Sequence, residues 1–190
     1  METTKLYVEL IIIGLQSSVG VAFTLINIIG LEISKKMIAL LDKFLISILL
    51  LGVFYILGLI VDRFSDLLFQ KLENKLRTKS GLKIKSVMLL PFRDNQYEFM
   101  MYCRSRIRIL RATIFNTLFV MASTLWFIFL YTNNNKLGYI VFVLVGGIFI
   151  ITVCYTSLCK LLENTYNKAR VFELGQAENG NETEGKNASS

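Results

Sequence analysis

"YCRSRIRILRATIFNTLFVMASTLWFIFLY", residues 102–131, sets four arginines, Arg104, Arg106, Arg108 and Arg111, against twenty residues without a charge. An uncharged run of that length can cross a hydrocarbon core roughly 30 Å thick. As a helix it satisfies its own backbone hydrogen bonds, which lipid requires. The stretch therefore reads as a membrane span entered through a basic collar.

Working outward, three further uncharged apolar runs occupy residues 10–31, 44–61 and 137–158, beside the one at 112–131. The 190-residue chain is 54% hydrophobic, with a mean hydropathy of +0.54. These features predict an all-α membrane protein with four transmembrane helices, the second and third extended into a small cytoplasmic helical module. A cleaved signal peptide is not expected, because Lys5 is offset by Glu2 and Glu9. The first run is also too long for a signal core and is followed by no small-residue cleavage site.

Lysine and arginine are retained in cytoplasmic loops. Residues 62–111 carry twelve of them, whereas the connection "TNNNKLG" at 132–138 has only Lys136. The first connection has Lys35, Lys36 and Lys43, and the C-terminal flank has Lys160, Lys168 and Arg170. Both termini are thus expected inside, in a bacterial inner membrane. The sequons at Asn181 and Asn187 then read as chance matches in an inside tail. The expected organisation is a first transmembrane hairpin at 1–61, a basic cytoplasmic module at 62–111, a second hairpin at 112–158, and a cytoplasmic tail at 159–190. The low hydrophobicity after about residue 174 reads as disorder.

Within the module, "DRFSDLLFQKLENKLR" from Asp62 places Phe64, Leu68, Leu72 and Leu76 at steps of four. That is one apolar helix face, opposed by Lys71, Glu73, Lys75 and Arg77. Gly81 suits a C-cap, and residues 82–91 read either as a short strand or as an interfacial loop. Asn95 and Glu98 have the spacing of a capping box. A helix from about Gln96 would run unbroken through Arg111 into the third span.

On that helix Arg104, Arg108 and Arg111 form one stripe, at i, i+4 and i+7, while Arg106 points elsewhere. Asp62 and Asp66, at i and i+4, follow the second run. The simplest expectation is an ion-pair ladder, because guanidinium groups bind carboxylates through more than one hydrogen bond. Arg106 is left for membrane lipids or a cytosolic protein partner. Nucleic acid is disfavoured, since Tyr97, Phe99 and Tyr102 have helical rather than groove-like spacing.

The first run is the most polar. Gln16, Gly20 and Asn27 fall close to one line, and Gly14, Ser18 and Ala22 form a small-residue stripe. Such lines either pack helices together, here within a homo-oligomer, or line a pore. Glu9 and Asp42 sit near span ends and are expected to snorkel or cap.

The chain has no histidine, which excludes triads and sites built on imidazole. No P-loop or dinucleotide fingerprint occurs. Asp62 and Asp66 are spaced to share Mg²⁺, but Arg63 between them and the arginines opposite favour charge pairing. No enzyme activity, cofactor or metal is expected, and Cys103, Cys154 and Cys159 are expected as free thiols. In helix count and loop charge the chain is similar to small four-helix membrane components of bacterial defence and stress systems, a likeness of architecture alone. The expected function is a membrane sensor or scaffold that self-associates and presents its basic module. The alternatives are an oligomeric pore effector and a small-solute carrier, the latter weakened by the lack of charge within the spans.

Overall fold

The structure is a computed structural model and describes residues 2–32, 44–80, 94–132 and 136–187. Four helices carry these residues: α1 (Glu2–Ile29), α2 (Phe44–Ser80), α3 (Asp94–Tyr131) and α4 (Lys136–Asn187). Each includes a stretch long and apolar enough to cross a membrane, Leu6–Ile29, Ile48–Lys79, Glu98–Tyr131 and Lys136–Val171. The chain is therefore read as an integral membrane protein with all-α architecture. The first connection, with Lys35, Lys36, Asp42 and Lys43, lies outside the described residues, as do Gly81 and residues 82–91.

Local sequence explains the helix limits. Gly30 adopts φ 92° and donates its N–H to the Ile26 carbonyl at 2.9 Å, a left-handed cap that only glycine enters without steric cost. α3 begins at Asp94, so Asn95 already lies inside the helix rather than capping it, a difference of the size that helix ends commonly show. α4 continues to Asn187 through the polar segment read from composition as disordered. That segment contains no proline, and its good helix formers Gln176, Ala177 and Glu178 stand among Gly175, Gly180 and Gly185, which disfavour a helix interior.

The chain divides into two compact units. In the first, residues 1–68 and 108–157, the core is built from Ile13, Val61 and Ala112 with Phe115 packed against them. α1 and α2 meet through Gly14 and Gly58. A Cβ on Gly14 would strike the Phe54 carbonyl, and one on Gly58 the Leu10 carbonyl. Small residues are how membrane helices bring their backbones together. Gly20 leaves room for the Phe119 ring, and Gly147 for the Met121 side chain. Buried and half-buried hydroxyls turn back onto their own helices: Thr113 donates to the Ile109 carbonyl at 2.8 Å and Ser123 to that of Phe119 at 2.9 Å. This satisfies them without water.

Large apolar side chains remain exposed throughout this unit, most of all on α4, where Leu137 and Phe142 are each 78% exposed and Phe149 is 69% exposed. A contiguous apolar surface of that kind belongs against lipid or protein rather than water.

The second unit comprises residues 69–107 and 158–190. Met100, Cys103 and Ile107 of α3 are buried at i, i+3 and i+7. Leu158, Leu162, Thr165 and Ala169 of α4 are buried at i, i+4, i+7 and i+11. Lys168 Nζ lies 3.9 Å from the centroid of the Phe99 ring, and Lys79 of α2 pairs with Glu163 of α4 at 3.8 Å. The unit thus has three helical contributors. The sequence alone suggests two, with residues 159–190 as a tail, because Lys160, Lys168 and Arg170 resemble a charged flank. Their backbone instead carries a buried stripe on its other side.

Candidate functional site

Of the three arginines expected in the ladder, Arg108 and Arg111 meet the expected carboxylates in the first unit, while Arg104 belongs to the second. Arg108 Nη1 lies 3.2 Å from Glu9 Oε2 and its Nε 3.4 Å from Asp62 Oδ1, while Arg111 Nη2 lies 2.6 Å from Asp66 Oδ1. Arg108 donates a hydrogen bond to Glu9, whereas Asp62 Oδ1 and Asp66 Oδ1 accept none. Their pairing with arginine is one of charge proximity without hydrogen-bond alignment. One guanidinium therefore joins α1, α2 and α3. The side chains of Glu9, Arg108 and Asp62 are only 14–16% exposed, so removing one partner strands charge in a poorly hydrated place, at a cost of about 3–5 kcal/mol.

Local helix geometry creates this arrangement. Asp62 and Asp66 are four residues apart and share the inward side of α2 with Val61 and Ser65, both buried. Ser65 Oγ donates to the Asp62 carbonyl at 2.9 Å, and Phe64 stacks on Phe115 with ring centroids 6.3 Å apart. The outward side bears Phe64, Leu67 and Leu68, which are 54%, 69% and 60% exposed. This apolar surface runs seven residues beyond Val61. Sequence reasoning put the two aspartates just past the end of the span. The outward side stays apolar past both aspartates, which an uncharged-run criterion misses because it stops at the first charge even when that charge faces inward.

Of the remaining arginines, Arg104 is exposed and engaged in a contact of its own. Arg106 is also exposed, its guanidinium carbon 5.2 Å from the centroid of the Tyr102 ring one turn earlier.

The polar line of α1 faces α3. Gln16 Oε1 lies 3.3 Å from Thr113 Oγ1 and shares its hydroxyl proton with the Ile109 carbonyl, Asn116 Nδ2 donates to the Ile13 carbonyl at 3.1 Å, and Asn27 Nδ2 donates to the Ser123 carbonyl at 3.1 Å. Gly20 lies on the same seam, against Phe119. Gly14, Ser18 and Ala22 do not act as one stripe. Gly14 packs on α2, Ser18 bonds the Leu15 carbonyl of its own helix, and Ala22 is exposed. The seam is incompletely satisfied, since the side-chain oxygens of Asn27 and Asn116 are buried without a partner, which limits what it adds to stability.

Four participants are not singled out by the sequence: Glu9, Thr113, Asn116 and Ser123. Glu9 was assigned to a span end, and Thr113, Asn116 and Ser123 were submerged in an uncharged run. The signal present was the polar series Thr113, Asn116, Thr117 and Ser123, which recurs at roughly helical spacing on α3. Among the described residues no group of three or more histidine, cysteine, aspartate or glutamate side chains has the arrangement of a metal site.

Compared with family models, curated proteins and solved structures, the chain has no significant match to any of the three.

Proposed function

We propose that this chain is a non-enzymatic integral membrane subunit that self-associates and presents its second, basic unit to a cytosolic protein partner. The observation that carries the reading is helix length. α2, α3 and α4 have 37, 38 and 52 residues, or about 55–78 Å at 1.5 Å per residue, against a hydrocarbon core of about 30 Å. The excess gathers into a separate compact unit. Residues 69–107, which supply α2 and α3 to it, hold nine Lys or Arg and three Asp or Glu. Retention of that charge inside the cell supports a cytoplasmic position and inside termini, in a bacterial inner membrane.

Self-association is assigned to α4, whose apolar face is the most exposed, because Gly14, Gly20 and Asn27 are engaged within the chain. The alternatives gain no support from geometry: Gln16 and Asn27 face α3 rather than a lumen, and the charged cluster is locked in pairs rather than open to a solute.

The test is recovery of bound protein with the chain extracted from its own cells in nanodiscs. Arg106 is exposed and makes its cation–π contact within its own helix, so Arg106→Glu is expected to leave membrane insertion and folding unchanged. Recovery of a stoichiometric cytosolic protein should fall at least tenfold. Equal recovery with both proteins would contradict the proposal.

A further inference from the structure

The outward face of α2 changes character at one place. From Ile48 to Leu68 its exposed side chains are apolar apart from Arg63, with Ile48, Leu49, Ile56, Leu59, Ile60, Leu67 and Leu68 each more than 40% exposed. Beyond Leu68 the same side of the helix bears Lys71 and Lys75, both exposed, and then Lys79. The exposed positions from residue 63 to residue 79 include no acidic residue. Lys79 is paired with Glu163. Lys71 and Lys75 form no ion pair among the described residues.

We infer that Lys71 and Lys75 form a binding face for the anionic headgroups of the leaflet from which α2 emerges. The occupant is fixed by depth and charge. Leu67 and Leu68 mark the last exposed apolar turn, and Lys71 and Lys75 follow Leu68 by about 4.5 and 10.5 Å along the axis, so the Lys75 stem has to reach back toward the bilayer. The polar region of a bilayer leaflet is about 5–8 Å deep, and a lysine stem can lie along apolar surface while its ammonium reaches phosphate. A basic residue near such a surface contributes roughly 1 kcal/mol, equal to about a fivefold preference. The face would hold α2 at a set depth in an anionic leaflet. The inference rests on the membrane placement of the preceding subsection and adds the class of lipid that the chain selects.

The chain has one tryptophan, Trp126, so a reporter can be moved to the boundary. Full-length protein carrying Trp126→Phe and Leu68→Trp is reconstituted into vesicles of phosphatidylcholine containing either brominated phosphatidylcholine or brominated phosphatidylglycerol, and quenching of the new tryptophan is compared. Quenching by the zwitterionic lipid establishes that residue 68 lies in the bilayer. Stronger association of the anionic lipid, by about fivefold or more at low salt, is expected. It should fall to near parity with Lys71→Gln and Lys75→Gln added, with helicity unchanged, and also in 1 M salt, where charges are screened within about 3 Å. Equal quenching by both lipids, or a preference that survives the two substitutions, would overturn the headgroup face while leaving the membrane placement intact. Absence of quenching by either lipid would overturn the placement itself. Crosslinking of Lys71 and Lys75 to an acidic protein, without lipid preference, would overturn the inference in favour of protein docking.

Discussion

Arg108 is the residue on which the first unit turns, because its guanidinium is shared between Glu9 and Asp62. Buried ion pairs contribute little net stability over an apolar filling, yet breaking one is costly. Asp62→Arg should place like charges together and destabilise the protein by about 3–5 kcal/mol. Adding Arg108→Asp should recover part of that loss. Recovery stays partial because Glu9 then faces an acid in place of its guanidinium. Thermal unfolding of the two single variants and the double variant in detergent gives the coupling energy directly, and additive effects would show that the pair does not interact.

This part of the site was legible from the spacing of Arg108, Arg111, Asp62 and Asp66, since helical periodicity puts each set on one face. Glu9 was not, because it belongs to a helix about 100 residues away in sequence and no local pattern ties it to α3.

At the scale of the elements, the spans could be read because lipid demands long uncharged helices, the continuity of α2 from its apolar periodicity, and that of α3 from the lack of any breaker between Gln96 and the third span. The contact partners could not. The seam between α1 and α3 joins Gln16 to Thr113 and Asn27 to Ser123, and in each helix the polar residues stand alone until the neighbour is known. α4 shows the opposite difficulty, since its charged side chains drew attention away from Leu158, Leu162 and Ala169.

Leu162 is 1% exposed in the second unit. Leu162→Ala should destabilise that unit by about 2–5 kcal/mol, the usual cost of truncating a buried leucine. Amide hydrogen exchange should speed up around Met100, Cys103 and Thr165 while the apolar helices of the first unit keep their protection. Unchanged exchange at those positions would mean that α4 is not part of the unit's core.

For the whole molecule, the distribution of charge carries the account. The formal net charge is +7, and the basic excess lies between the second and third spans, which sets orientation more strongly than any single residue. Under the proposed function this excess in the second unit serves a cytosolic partner, and under the inferred headgroup face Lys71 and Lys75 serve anionic lipid. Labelling by a membrane-impermeant maleimide tests this most directly. Cys103, Cys154 and Cys159 are replaced, and one cysteine is returned at either Thr132 or Lys75, in intact spheroplasts and in inside-out vesicles. Thr132→Cys is expected to be labelled only in spheroplasts and Lys75→Cys only in inside-out vesicles. Labelling of Lys75→Cys in intact spheroplasts, or of both cysteines from one side, would contradict it.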